Sequence, residues 1–235
     1  MPGFERALAR TRTAVLPLGS TEEHGLHLPL DTDTMQAVHT ARLAAKKVEF
    51  FLCPPLHYGY CRSTRDHAGT LSISPDTLRA LVRDIGRGLY ARGLRGLIIM
   101  SGHAGKVHMG ALEEAAGTLA DELDGFHVAV VCEYHWAAEA GRDGIVETKD
   151  DGHAGEIETS RIMAIAPGLV TCTSPEEYPN FPTPFIEREK LSAWPGGVWG
   201  DPGRASVDKG LALYEKTASR LAELVMRMEE KVRAL

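Results

Sequence analysis

Short apolar runs alternate with longer amphipathic stretches along most of this chain. Four runs are almost entirely apolar and predict buried strands: Ala14–Leu18, Val48–Cys53, Gly96–Met100 and Val128–Cys132. The amphipathic stretches predict helices: Thr34–Lys47, Ser74 or Pro75 to about Arg92, Gly105–Leu123, Glu156–Ala166 and Arg204–Arg233. Continuous apolar strands that alternate with helices indicate an α/β fold, in which a mostly parallel central sheet is covered on both faces.

The remaining organisation of the chain is simple. A Pro- and Gly-rich stretch covers Cys172–Gly203 and has the length of a lid or a partner-contact segment. There are no repeats, low-complexity tracts or linkers, and 235 residues suit one α/β domain with a sizeable core. We therefore expect residues 1–235 to form a single domain.

Composition excludes several classes of partner. Lys and Arg number 26 against 32 Asp and Glu, the net charge is −6, and there is no basic block, so no nucleic acid partner is expected. No apolar run approaches about 18 residues, and the N-terminus lacks a signal-peptide pattern. We expect a soluble cytoplasmic protein without a membrane partner. The four cysteines are scattered, which favours reduced thiols over disulfides or a zinc ribbon.

Three Gly-rich segments carry the candidate chemistry. The first, LPLGSTEEHGLHLPLDTDT, places five potential metal ligands within twelve positions: Glu22, His24, His27, Asp31 and Asp33. The others are SGHAGK at Ser101–Lys106 and DGHAGEIETS at Asp151–Ser160. Open parallel sheets bind ligands beyond the carboxyl ends of their strands, where these segments are expected. Any one of these residues has a plainer role as a cap or turn residue. Three such clusters at one sheet edge favour a metal centre, and His with carboxylate ligands suits Zn, Mn or Fe(II).

These segments resemble the creatininase family of metal-dependent amidohydrolases. The matching motifs are PLGSTEEHGLHLPLDTD at Pro17–Asp33, SGHAGK at Ser101–Lys106 and HAGEIETS at His153–Ser160. Weaker matches, AGTLSIS at Ala68–Ser74 and GVWGDPGRAS at Gly197–Ser206, extend the resemblance over nearly the whole chain. The resemblance implies a three-layer α/β/α fold, a centre of two divalent metal ions (Zn, Mn or Fe) and a homo-oligomer, usually a hexamer.

The resemblance also implies a set of metal ligands. Glu22, Asp33 and His103 resemble the ligands of one ion. His24 and Asp33, with a second carboxylate, resemble those of the other ion, so that Asp33 bridges the two. In creatininase itself the second carboxylate comes two residues after the His of the G-H turn, and that position is Gly105 here. Many family members have an H-A-G-E motif, and we therefore expect Glu156 to replace the missing ligand.

Catalytic residues follow from the same motif. His153 resembles the family's catalytic His, which handles protons near the scissile amide, so His153 and Glu156 are the predicted catalytic residues. Glu158 is expected to orient its neighbours. His27 is either a partner of a metal ligand or a turn residue, and His67 is either a cavity-lining residue or a structural one.

Departures from the family pattern bear on the substrate. The Trp that creatininase carries four residues before the catalytic His is Lys149 here, and an Asn after the G-H turn is Lys106. Creatinine is therefore not the expected substrate, and Lys149, Lys106 or Arg65 is expected to meet an acidic group on a different one.

The predicted function is hydrolysis of a C–N bond in a small cyclic amide or a formamide, with this small molecule as the partner. Three alternatives stay open: a non-catalytic metal- or metabolite-binding homologue, a family member that trims a peptide in cofactor maturation, and a metal-dependent aldolase or sugar isomerase. The aromatic-rich Cys172–Gly203 segment is expected to cover a neighbouring subunit or to close over the metal site.

Overall fold

The predicted alternation of strands and helices is present in the computed structural model, which describes residues 2–182, 184–186 and 188–234. The helices and strands follow in chain order: α1 (Pro2–Leu8), β1 (Thr13–Leu18), α2 (Thr32–Ala44), β2 (Phe51–Leu52), α3 (Pro75–Ala91), β3 (Gly96–Ser101), α4 (Lys106–Glu122), β4 (His127–Cys132), α5 (Glu133–Gly141), α6 (Glu156–Ile165) and α7 (Val207–Arg233). Two short 3₁₀ turns cover Pro167–Leu169 and Pro202–Arg204.

A parallel sheet in the order β2-β1-β3-β4 forms the centre of the described structure. Strands β1 and β3 pair from Thr13 opposite Gly96 to Leu18 opposite Ser101, and Ser101 in turn lies opposite Cys132 of β4. Every residue of β1 and β3 is buried, as a sheet that is covered on both faces requires. Because the three strands end in register, the loops that follow them leave from one edge of the sheet.

The two faces of the sheet are covered by different helices. Leu16 and Ile99 pack with buried side chains of α3 and α4, whereas Val15 and Ile98 pack with those of α2 and α7. Successive strand residues point to opposite faces, which accounts for this division. Each fully buried Leu, Ile or Val contributes about 1.5–3 kcal/mol. The expected three-layer α/β/α fold is confirmed.

The predicted elements differ from the structure in several places. Helix α1 was not predicted, and α7 begins at Val207 and not at Arg204. Helix α2 begins at Thr32 and not at Thr34, so Asp33 lies in its first turn. The strand predicted over Val48–Cys53 is reduced to the two residues of β2, which pairs with β1 at only two positions. Helix α5 follows β4 without a loop and was not predicted.

The Cys172–Gly203 segment forms mostly irregular structure. Among its described residues, which leave out Thr183 and Glu187, regular pairing is limited to isolated bridges: Glu177 pairs with Gly200, and Trp199 pairs with His153. Trp194 is almost fully buried. The segment therefore packs against the loops at the carboxyl edge of the sheet. Within the described residues, no helix has the length and apolar composition to cross a membrane.

Candidate active site

The ends of β1 and β3 pack directly against the first turn of α2. A Cβ atom at Gly102 would collide with the backbone carbonyl of Asp33, and one at Gly19 would collide with the backbone nitrogen of Thr34. Glycine is therefore the residue that permits this close approach. The result is that Asp33 lies between the ends of the two central strands, beside the loops that follow them.

Glu22, Asp33 and His103 form the first half of a buried cluster. Nδ1 of His103 lies 2.8 Å from Oε2 of Glu22 and 3.2 Å from Oδ2 of Asp33. Nε2 of the same ring lies 3.1 Å from the backbone carbonyl of Tyr60, to which it donates. Nδ1 is then the nitrogen whose lone pair faces the carboxylates. A Cβ at Gly105 would lie 2.5 Å from Nε2, so the ring position depends on that glycine.

His24, Asp33 and Glu158 form the second half. Nδ1 of His24 donates to the backbone carbonyl of Glu22 at 3.0 Å. Nε2 of His24 lies 3.2 Å from Oδ1 of Asp33 and 3.6 Å from Oε2 of Glu158. This nitrogen is buried and has no hydrogen-bond partner among the described residues. The two oxygens of Asp33 therefore face two different histidines, one in each half.

The arrangement fits divalent cations. Candidate ligand atoms of His24, Asp33 and Glu158 all lie within 4.8 Å of one another, and two further groups of this kind share Glu22. Burying three carboxylates together is costly unless positive charge compensates them. In both halves a backbone carbonyl holds one ring N–H while the other nitrogen faces carboxylates, as is usual for metal-binding histidines. One of the groups that share Glu22 places the Cys61 thiol with Glu22 and His103, and burial raises the pKa of that thiol, which favours its neutral form. The nitrogen and carboxylate donors suit Zn or Mn.

The electrostatics of the protein groups alone show how strongly the cluster attracts positive charge. Burial opposes the charged form of His24, yet Glu158 and Asp33 raise its pKa well above the ordinary value. Burial likewise opposes the charged form of His103, and Glu22 with Asp33 raises its pKa. Each half of the cluster therefore favours a cation between its carboxylates.

A cavity of about 230 Å³ lies above this cluster. Its floor includes side chains of both halves, and His153 lies beside them. Its walls are largely aromatic and are formed by Tyr134, Phe181, Trp194 and Trp199. His67 contacts the backbone carbonyl of Trp194 at 2.8 Å through Nε2, so it supports a wall of the cavity.

Comparison with known proteins assigns the family. The family described as creatinine amidohydrolase matches residues 1–225. The chain belongs to the creatininase family. It is 34% identical over 215 residues to the mycofactocin precursor peptide peptidase of Mycobacterium tuberculosis (strain ATCC 25618 / H37Rv), covering 85% of this chain and 79% of the relative. It is 26% identical over 239 residues to the creatinine amidohydrolase of Pseudomonas putida, covering 94% of this chain and 91% of that enzyme.

Solved creatininase structures share the fold. A manganese form and a variant of Zn-Zn type each superpose with a TM-score of 0.83, at 23% and 24% identity. Both alignments cover 97% of this chain and 95% of the solved chain. The creatininase-family fold thus occurs with zinc and with manganese, the two metals that suit the nitrogen and carboxylate donors found here.

Glu156, which the sequence predicts as a metal ligand and a catalytic residue, lies away from the cluster in this creatininase-family protein. The Glu156 carboxylate accepts hydrogen bonds from the backbone nitrogens of Glu147 and Thr148, the latter at 2.7 Å, and from Nζ of Lys209 at 2.6 Å. These hydrogen bonds hold the Glu156 carboxylate away from the cluster. Residues two apart on a helix point about 200° apart, so Glu156 and Glu158 cannot both face the cluster. Glu158 occupies the place expected of Glu156, both as second carboxylate and beside the cavity.

His153 lies where a proton-transferring group would reach the cavity. Its ring centroid is 4.2 Å from that of His24, and its Nε2 lies 2.7 Å from the backbone carbonyl of Glu23. Its backbone forms two hydrogen bonds with Trp199. The next residue, Ala154, has a φ of 49°, in the left-handed region, and its N–H donates to Oε2 of Glu158 at 2.6 Å. Strained backbone of this kind is typical of functional sites.

A buried network behind Glu158 was not predicted. Nε2 of Gln36 donates to Oε1 of Glu158 at 3.2 Å, and Nη1 of Arg161 donates to Oε1 of Gln36 at 2.9 Å. Arg161 also forms a fully buried ion pair with Glu133. The sequence signal that could have indicated this network is an arginine, Arg161, three residues after Glu158 in the same predicted helix. These residues hold the orientation of the Glu158 carboxylate.

His27 has a structural place in the described residues. Its two ring nitrogens contact the hydroxyl groups of Ser174 at 2.9 Å and Thr159 at 2.8 Å. It therefore fastens the start of the Cys172–Gly203 segment to α6. Asp31, the other candidate of the first segment, pairs with His57 at 2.8 Å, half-exposed and outside the cluster.

Proposed function

We propose that this chain is a metal-dependent hydrolase that cleaves an amide C–N bond in a short peptide or peptide-like substrate. The observation that carries the proposal is the pair of histidine and carboxylate triads that share Asp33 beneath a cavity. Glu22, Asp33 and His103 would hold one ion, and His24, Asp33 and Glu158 the other. Divalent ions in these places would supply Lewis-acid activation of water and of a carbonyl oxygen.

The side chains around the cavity have separate roles in the proposed reaction. His153 would deliver a proton to the leaving nitrogen; its position beside the cluster and in the cavity lining supports this role. Trp194 and Trp199 would hold the apolar part of the substrate and keep bulk water away. Gln36 and Arg161 act behind Glu158 and keep its carboxylate in place.

The peptide substrate is supported by the relative with 34% identity, which is a precursor peptide peptidase. A second candidate is a small cyclic amide or a formamide. The modest cavity volume and the similarity to the Pseudomonas putida creatinine amidohydrolase support it.

The test is a panel of amides offered to protein reconstituted with zinc or manganese. The panel contains short peptides, their N-formyl derivatives and cyclic amides, with amine and formate release as readouts. We expect peptide cleavage that requires metal and is lost in Asp33→Asn, with Asp31→Asn as the matched control that keeps activity. A metal-loaded protein that cleaves no member of the panel would favour a non-catalytic binding protein.

We also propose that the chain is a homo-oligomer, as the creatininase resemblance implies. Several large apolar side chains are well exposed: Leu26 at 74%, Leu71 at 56%, Phe185 at 71% and Ile186 at 80%. Exposed apolar surface of this kind usually marks an interface.

A further inference from the structure

One cation that lines the cavity, Lys106, has no ion-pair partner among the residues that the structure describes. Lys106 is exposed, lines the cavity, and begins α4 directly after the turn that carries His103. In the part of the chain that the structure describes, no carboxylate forms an ion pair with Lys106. By contrast, Lys47, Lys209 and Lys216 each pair with a carboxylate at 2.8 Å or less. The carboxylates of Glu22, Asp33 and Glu158 line the same cavity, but none of them forms an ion pair with Lys106 in the described chain.

The start of α4 does not offset the charge of Lys106. The first turn of α4 contains no acidic residue, and its N-cap, Gly105, has no side chain that could accept a hydrogen bond. Helices α3, α6 and α7 each carry an acidic residue in the first turn. A lysine at the positive end of a helix is unfavourable unless an anion lies nearby. Among the described residues, the first turn of α4 contains no such anion, so a ligand at this end of the cavity would meet a lysine without an ion-pair partner.

The walls of the cavity define the rest of the ligand. Phe181, Trp194 and Trp199 present aromatic surface, whereas Lys106 presents the cation. We propose that Lys106 binds a carboxylate of the substrate, and that the enzyme prefers amides whose leaving amine carries an acidic group, such as the last peptide bond of a chain. This inference rests on the proposed amidohydrolase function and specifies its substrate class.

Lys106 differs in its surroundings from Lys149 and Arg65, the two other cations that the sequence suggested. Lys149 is exposed and is not part of the cavity lining as described. The Arg65 guanidinium donates to the backbone carbonyl of Arg188 and lies 3.5 Å from Asp66, so it is already engaged. Lys106 is the one of the three that faces the cavity without a partner in the described chain. Lys149→Met provides a matched control because this substitution removes the same charge outside the cavity.

The experiment compares formyl-Ala-Phe with its C-terminal amide as substrates of the metal-loaded protein. We expect the wild type to prefer the free carboxylate. A charged hydrogen bond corresponds to a preference of about 10- to 100-fold in kcat/KM. Lys106→Met should lower kcat/KM for the acid by that factor and leave the amide substrate unchanged. Lys149→Met should change neither. Equal cleavage of both probes by the wild type, or an equal loss for both in Lys106→Met, would overturn the inference while the hydrolase proposal stands.

A binding measurement keeps the inference testable if neither probe is cleaved, which would count against the proposed function. Trp194 and Trp199 line the cavity, so ligand binding should change tryptophan fluorescence. N-acetylphenylalanine should bind the metal-loaded wild type and Lys149→Met with similar Kd values, and Lys106→Met about 10-fold or more weakly. The same Kd in all three proteins would show that Lys106 does not recognise a carboxylate.

Discussion

Replacing Glu158 and Glu156 separately by glutamine distinguishes a metal ligand from a structural carboxylate. The two residues lie two positions apart in α6, and both are buried. Glu158 faces His24, whereas Glu156 binds the 147–148 backbone and Lys209. Glutamine keeps the size of the side chain and removes its charge. Glu158→Gln should therefore weaken metal binding, and Glu156→Gln should weaken the fold.

The expected loss in the free energy of unfolding depends on metal in Glu158→Gln and is independent of metal in Glu156→Gln. At a metal concentration about 1,000 times Kd, binding stabilises the wild type by about 4.1 kcal/mol. A Kd that is about 100-fold weaker in Glu158→Gln reduces this gain to about 1.4 kcal/mol, which shortens the metal-induced rise in Tm by about 5–11 °C. Glu156→Gln loses charged hydrogen bonds and should cost about 1–3 kcal/mol with or without metal.

The assay is thermal unfolding of both variants and the wild type after metal removal and after titration with zinc or manganese. Bound metal is measured in parallel by elemental analysis. Glu156→Gln should have a lowered Tm in the metal-free protein and the full metal-induced rise. Glu158→Gln should lack most of that rise. If Glu156→Gln loses the metal-induced rise and Glu158→Gln keeps it, the assignment of the second carboxylate made from this structure is wrong.

Three further predictions concern chemistry, stability and assembly. His153→Ala should keep its metal content and lose turnover by about 100-fold or more, measured by amine release, because we propose that His153 transfers a proton and does not hold the ions; loss of metal would make it a ligand. Arg161→Met should lower the free energy of unfolding in urea by about 3–5 kcal/mol because Glu133 is left buried and unpaired, and the double replacement with Glu133→Leu should recover most of it; an equally unstable double variant would contradict this. Light scattering should give about 150 kDa for a hexamer of 25.5 kDa chains; a 25.5 kDa species with full activity would exclude it.

The fold was predictable because its central strands are buried on both faces. A run such as Gly96–Met100 has no polar position to confuse the pattern, and β3 extends it by only one residue. Predictions were weaker where tertiary context decides. Only two residues of Val48–Cys53 pair with β1, because β2 lies at the edge of the sheet. Helix α5 was missed because it follows β4 without the turn residues that normally mark a helix start.

Most of the candidate site was predictable for a different reason. Glu22, His24 and His103 follow strands directly, so the register of the parallel sheet brings them together. Glu156 and Glu158 could not be distinguished in this way. Both lie in the first turn of α6, and the direction of each side chain depends on where the 142–155 loop ends. That loop is fastened to Glu156, which leaves Glu158 to face His24.

Helices α2 and α6 each supply one residue to the cluster and, one turn later, one residue to the hydrogen-bond network behind it. In α2, Asp33 faces the histidines and Gln36, three residues later, holds Glu158. In α6, Glu158 faces His24 and Arg161, three residues later, holds Gln36. Positions three apart lie on one helix face, so each helix supplies one residue to the cluster and one to the network behind it. A shift of either helix would move both residues together. Activity should therefore depend on the packing of α2 against α6 as closely as on the cluster residues themselves.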